Sequence, residues 1–271
     1  MFVGIDFGVT NTDIAVWSND KYTFFSLPSE KIDNHFLSKI FEFIKININD
    51  INKIAVTGGK SSDLNNNFKN ISILKVNEVS AIGYGAMELY KIKEDNFVAV
   101  SAGTGTACIS YSNREFNHLG GISVGGGTLQ GLSNLIIKNN NADNINQIAL
   151  SGNKNQLDFL IGDVVNEIGS LYPEITASNF AKARSNNNQK DEDIASSLSN
   201  MIGEVIGTVT YLNALLMGVD KVYFLGRTSL LDSVKKGIDQ RLALAGIVGE
   251  YNSDREFGNA IGAIAYLRTK I

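Results

Sequence analysis

Residues 4–17 read GIDFGVTNTDIAVW, an apolar run that reaches Asp6, breaks at Gly8, offers Thr10, Asn11 and Thr12, and then resumes. Two strands are joined most simply by a two-residue turn such as Asn-Gly, so a longer polar interruption calls for a use. Gly8 has no Cβ and lets backbone amides come close to a ligand. The hydroxyl and amide side chains add donors, and successive N–H groups in a tight turn form an anion-binding concavity. Asp6 at a strand end suits a magnesium ion held through water, because hard cations take carboxylate oxygens. These groups describe a cradle for phosphate oxygens and a metal, although an ordinary capped turn would draw on the same residue types.

A second stretch, SAGTGTAC (101–108), offers Gly103, Thr104, Gly105 and Thr106 in the same strand–turn–strand setting. Two such loops facing across a cleft could grip both ends of a polyphosphate. A third, VGGGTLQG (124–131), leads into a helical pattern. The free amides and dipole of that helix N-terminus would favour an anion. No GxxxxGK[ST] run occurs, nor a strand–GxGxxG–helix unit, so neither a P-loop nor a dinucleotide fold is indicated.

The elements that must hold these loops follow from the apolar patterning. FVGIDF (2–7), DIAVWS (13–18) and YTFFSL (22–27) predict an antiparallel meander. Residues 33–46 carry helical spacing, 53–59 a buried strand ending in glycines, and 77–92 a helix whose start bears Glu78. The pattern then returns, since residues 96–112 repeat the opening strand–turn–strand about ninety-five residues on, which implies two similar halves. A long helix over 193–218, a strand over 221–227 and a small-residue helix over 257–270 complete the second half. With two prolines and no linker, the halves are expected to touch across a cleft, with a boundary near 92–96 and domains at 1–95 and 96–271.

Composition narrows the classes. The 271 residues are 44% hydrophobic and 19% charged, as in ordinary soluble domains, and the formal charge of −4 gives no basic field for nucleic acid. The Asn-rich runs at 65–70, 138–147 and 185–193 read as solvated loops or helix ends. Cys108 is the single cysteine, expected as a small buried core residue, so no intrachain disulfide forms and a reducing, cytoplasmic setting fits. A strand begins within two residues of the N-terminus, leaving no signal peptide, and no apolar run approaches the roughly twenty residues that span a bilayer. Two histidines and one cysteine do not furnish a zinc cluster, and His35, beside Phe36 and Leu37, reads as structural.

GIDFGVTNTD resembles the first phosphate motif of the actin, hexokinase and heat-shock-chaperone ATPase superfamily; SAGTGT resembles its second, and FLGR (224–227) its adenosine-side glycine turn. Within it, GGISVGGGTLQGLSNL (120–135), ITASNFAKA (175–183), VTGG (56–59) and FGNAIGAIAYL (257–267) resemble the type II pantothenate kinases, in order along the whole chain. The resemblance implies an α/β fold of two actin-like, ribonuclease H-like halves with mixed sheets flanking a nucleotide cleft. It implies transfer of the γ-phosphate of ATP, with Mg2+, to the primary hydroxyl of pantothenate, opening coenzyme A synthesis.

On that template Asp6 helps hold magnesium, and Gly8, Thr10, Asn11 and Thr12 bind β- and γ-phosphate oxygens. Thr104 and Gly105 line the opposite side, Gly126, Gly127 and Thr128 lie against the nucleotide, and Gly226 and Arg227 stand near the adenosine. The catalytic carboxylate falls on Glu78, which the dipole at a helix start keeps ionised, although the same residue could simply stabilise that N-terminus. The family's substrate-holding arginine falls on His118, beside Gly121, and imidazole lacks the planar fork of a guanidinium; Arg114 is the other cation nearby. Ala107 stands where relatives carry a hydroxyl. These two departures leave open a same-fold kinase for another hydroxylated acceptor such as an amino sugar. A nucleotide-binding regulator without turnover is the remaining alternative. Apolar positions on more than one face of 193–218 suggest a partner, for which the resemblance implies a homodimer across this helix, or else a central core helix.

Overall fold

A computed structural model describes residues 1–166, 172–185 and 189–271. Positions 186–188 of the polar run 185–193 therefore lie outside the described residues. The first half opens with β1 (Phe2–Phe7), β2 (Asn11–Ser18) and β3 (Lys21–Pro28), followed by α1 (Asn34–Ile44). Then come β4 (Lys53–Thr57), β5 (Asn67–Phe68), β6 (Ile71–Lys75) and α2 (Glu78–Tyr90). Asp33 caps α1 by accepting from the Phe36 amide, and the helix buries Phe36, Leu37, Ile40, Phe41 and Ile44, the spacing predicted for it.

The second half repeats the plan with β7 (Phe97–Ala102), β8 (Thr106–Ser112) and β9 (Glu115–Ile122), then α3 (Gly126–Ile137) and α4 (Ala142–Ser151). A small excursion holds β10 (Phe159–Leu160), α5 (Ile161–Val164) and β11 (Thr176–Ser178). The chain closes with α6 (Asp191–Met217), β12 (Lys221–Leu225), α7 (Asp232–Leu244), β13 (Val248–Tyr251) and α8 (Gly258–Arg268).

Both sheets are mixed. The first runs β3-β2-β1-β4-β6-β5 and the second β13-β12-β7-β8-β9, each an antiparallel meander extended by parallel strands. This is the architecture expected of two related halves. The last helices exchange sheets. Ile82 and Ala86 of α2 pack with Phe97, Ala99 and Ile109 of the second sheet. Ala260 and Ile264 of α8 pack with Ala15 of the first, and Ala263 with Ala55. The two helices cross almost backbone to backbone: a Cβ on Gly262 would lie 1.8 Å from the Ala81 carbonyl oxygen, and one on Gly85 2.1 Å from that of Gly258. Their small residues are thus what lets the exchange happen.

Helix α6 serves as a central core helix over most of its length. Ile194, Leu198, Ile202 and Ile206 are buried in the second core, whereas Leu212, Leu215 and Leu216 at its C-terminal end are 53%, 56% and 75% exposed. Cys108 is buried and free, as expected. Among the described residues no helix is long and apolar enough to cross a membrane.

Candidate active site

A cleft of about 530 Å³ opens between the two sheets, at the C-terminal ends of β1 and β7. Asp6 lines it from β1, directly across the ladder from Asp13 of β2. Its Oδ2 accepts a hydrogen bond from Asn259 Nδ2 of α8 at 3.1 Å. Burial above all, then the neighbouring Asp13 charge, push the Asp6 carboxyl up to about 7; the Asn259 bond works against this, and the Glu78 charge adds to it. Gly58 follows β4 at φ +74°, and a Cβ there would lie 2.3 Å from Asp6 Oδ1, so the first glycine of VTGG makes room for this carboxylate.

The first loop, Gly8–Thr10, is held from behind. Ser29 Oγ donates to the Gly8 carbonyl at 2.6 Å, and the Ser29 amide to that of Thr10 at 3.0 Å. Strand β2 begins at Asn11, two residues earlier than its apolar run suggests. Alternation therefore sends Asn11 and Asp13 into the cleft and Thr12 to the opposite face. Thr12 is wholly buried, its hydroxyl 3.1 Å from Ser29 Oγ. Of the expected phosphate ligands in this loop, Gly8, Thr10 and Asn11 reach the cleft and Thr12 does not.

The second loop meets the first, with Thr10 Oγ 3.3 Å from Thr104 Oγ. Gly103 closes the turn by donating to the Gly105 carbonyl at 2.8 Å. The start of α3 is tied to this loop: the Gly126 amide donates to Gly103 O at 2.9 Å and the Gly127 amide to Thr104 O at 3.0 Å. Those two N–H groups, expected to face an anion, are instead spent bracing the loop. Gly126 and Gly127 still line the cleft, but Thr128 caps its own helix, accepting from the Gly125 amide and donating to Ser123 O. Gly105 serves the turn and does not line the cavity.

On the far wall, Gly226 takes φ +86° after β12, where a Cβ would lie 2.4 Å from the Ala102 carbonyl oxygen. Arg227 was expected beside the adenosine, yet its side chain reaches back across the cleft. It pairs with Asp13 and with Glu256, and its NH2 group donates to Ser26 Oγ at 2.9 Å. Asp13, Asn259 and Glu256 were not anticipated, and neither was Thr228, whose hydroxyl donates to Gly103 O at 2.6 Å. Asp13 carried a signal, an acid one β-ladder step from Asp6. The others become neighbours only through tertiary packing.

Glu78 is the first residue of α2, exposed, above an Asn77 side chain that caps the helix by accepting from the Ser80 amide. It lies outside the cavity lining but close enough for its charge to act on Asp6. His118 and Gly121 are three apart and would face opposite sides of a regular strand. A bulge in β9 pairs Cys108 with Gly120 but Ile109 with His118, returning both residues to one face. His118 Nε2 lies 3.8 Å from where a Gly121 Cβ would be. That face carries Phe116, against which Gly83 of α2 packs, so His118 and the helix that begins at Glu78 share one side of the second sheet. Arg114 is at the β8–β9 turn, about 13 Å along the strand from His118 and away from the cleft.

The family model described as Fumble matches residues 88–232. The type II pantothenate kinase of Bacillus cereus (strain G9842) is 32% identical over 234 residues, covering 83% of each chain. That of Bacillus anthracis is 30% identical over 284 aligned positions, covering 99% of this chain and 98% of its own. Among solved structures, the activator of 2-hydroxyisocaproyl-CoA dehydratase from Clostridium difficile with bound ADPNP superposes with a TM-score of 0.68 at 16% identity, over 99% of this chain and 94% of that one. A ROK family glucokinase from Streptomyces griseus in complex with glucose and AMPPNP gives 0.59 at 13% identity, over 98% of both. These structural likenesses establish the actin-like fold.

Proposed function

The chain belongs to the type II pantothenate kinase family, and from that premise we propose how its residues carry out phosphorylation of the primary hydroxyl of pantothenate by ATP. The observation that carries the assignment of roles is the meeting of two glycine–threonine loops, one from each sheet, at Thr10 and Thr104 beside Asp6. A phosphoryl transfer with a loose transition state needs mainly positioning and charge neutralisation. Gly8, Thr10 and Asn11 bind phosphate oxygens from one side and Thr104 from the other, while Gly126, Gly127 and Gly226 shape the wall against which the nucleotide lies.

The residues present fit Mg2+. A carboxyl buried next to a second carboxylate, and raised to about 7 for that reason, is relieved by a dication. Among the described residues no three His, Cys, Asp or Glu side chains cluster as ligands, which suits an ion that takes most of its ligands from phosphate and water. Asp6 would hold it, and the ion would neutralise charge on the phosphates. Glu78 accepts the proton of the attacking hydroxyl, being exposed and free of protein partners at the start of α2. His118 and Gly121 flank the acceptor, with one imidazole hydrogen bond in the arginine's place.

The exposed Leu212, Leu215 and Leu216 support a homodimer through the end of α6, and the single buried free cysteine supports a cytoplasmic setting. The division into 1–95 and 96–271 is proposed for the two sheet layers, with α2 and α8 crossing it. The test is phosphate transfer from ATP with Mg2+ to pantothenate beside a panel of sugars and N-acetyl sugars, read by product mass. Phosphopantothenate from the wild type, and none from Glu78→Gln, is the expected result. Product from a sugar alone would move the acceptor assignment. Nucleotide binding without any transfer would favour a regulator.

A further inference from the structure

We propose that Arg227 is the cation that binds the β- and γ-phosphoryl oxygens, delivered to them across the cleft from the opposite half and held ready by Asp13 and Glu256. The inference rests on the ATP reading of the cleft and assigns Arg227 to the phosphates rather than to the adenosine. Charge balance is its first support. Among the described residues lining the cleft, Arg227 is the only cation, against the four carboxylates Asp6, Asp13, Asp143 and Glu256. The loops offer neutral hydroxyls and amides, and the first amides of α3 are already bonded to carbonyls. A polyphosphate entering such a cleft meets net repulsion, which the metal at Asp6 would offset from one side, leaving Arg227 as the protein's own cation to offset it further.

Position is the second support. Arg227 starts the short turn Arg227–Leu230 after β12, but its guanidinium lies on Asp13, the direct cross-strand neighbour of Asp6, and on Ser26 of β3. That places it one side chain away from the carboxylate assigned to the metal, on the phosphate side of the cavity. Its donors are the third support. NH1 serves Glu256 with one of its two N–H groups, leaving the second without a protein partner, while NH2 serves Asp13 and Ser26. A planar fork with a spare terminal N–H matches phosphate oxygens, and the two carboxylates can yield the guanidinium to them without its leaving the site. The side chain is about one-third exposed, facing the cavity.

The test is a ladder of affinities for AMP, ADP and AMPPNP, measured by calorimetry without acceptor. For Arg227→Met the expected result is a loss on the order of 10- to 100-fold for ADP and AMPPNP with AMP nearly unchanged, as for removal of a charge-assisted hydrogen bond. Equal loss for all three nucleotides, the result of an adenosine contact or a purely structural latch, overturns the proposal, as does no loss. Glu256→Gln supplies a gain that misfolding does not imitate: freed from one carboxylate, Arg227 should raise the preference for ADP over AMP several-fold. A preference at or below the wild-type value overturns the proposal. A wild type that binds none of the three nucleotides overturns the ATP reading itself. Binding of all three with no Arg227-dependent ladder overturns this inference alone.

Discussion

The two glycine–threonine loops at the cleft are the same hairpin built twice, and their ladders can be laid side by side. In the first sheet Asp6 faces Asp13 and Phe7 faces Thr12; in the second, Ser101 faces Ala107 and Ala102 faces Thr106. The inner threonine has one fate in both halves. Thr12 bonds Ser29 and Thr106 donates to the Val124 carbonyl, each buried behind its loop. The neighbouring pair differs: two carboxylates that both line the cleft in the first half, and in the second Ser101, which lines it, opposite Ala107, which does not. The bracing differs too, because the second loop is sewn to α3 by two backbone bonds and to Thr228 by a third, whereas the first is held from behind by Ser29 and touches the second through Thr10. A repeated scaffold thus keeps its buried hydrogen bonds and varies what faces the ligand. One acidic wall can hold a metal, whereas two facing each other would repel both one another and the phosphates.

If acid chemistry belongs to the first half, the largest effect comes from Glu78. Glu78→Gln should lower kcat by about a hundred- to ten-thousand-fold while ADP affinity stays within a factor of about two, measured by steady-state rates and calorimetry. A matching loss of nucleotide binding would break that assignment. Asp6 is the next test, through pH. Folded Asp6 keeps a proton between its ordinary 3.8 and about 7 that the unfolded chain gives up, so it adds a penalty that grows as pH rises through that window. Asp6→Asn removes the slope, and relative to wild type it should become on the order of 2–4 kcal/mol more stable between pH 4 and pH 8 in metal-free denaturant melts. A difference independent of pH would contradict the origin given for the shift.

Smaller effects separate the two loops. A Cβ on Gly126 would lie 2.6 Å from Thr228 Oγ and 3.3 Å from Gly103 O. Gly126→Ala should therefore cost about 1–3 kcal/mol by overpacking the braced loop. Val9→Ala, at the open tip of the first loop, should cost under about 0.5 kcal/mol. Equal costs in thermal melts would mean the loops are braced alike. Last, Thr12→Val should lose about 1 kcal/mol of stability and keep nucleotide affinity, while Thr10→Val does the reverse. The opposite result would return Thr12 to the cleft.

Much of this was legible from residues 4–17 and 101–108 alone, because period-two alternation and glycine turns are local properties of a chain. The meander, the repeat, the helix begun by Glu78 and the closely packing C-terminal helix all followed from such patterns. The faces of single residues did not. Thr12 turned away because β2 starts two residues early on its partners β1 and β3, and His118 turned toward Gly121 because of one bulge in β9. Register belongs to a pair of strands, and a shift of one residue reverses every side chain.

The sequence by itself determined the two-half α/β plan, the loops and the acids available to them, since each depends on neighbours within a few residues. Only the tertiary structure decided that α2 and α8 trade sheets, that the amides of α3 brace a loop, and that Arg227 crosses the cleft to Asp13. Each of these joins residues far apart in the chain. Such contacts form where packing brings the groups within a few ångströms, a condition that no local spacing encodes.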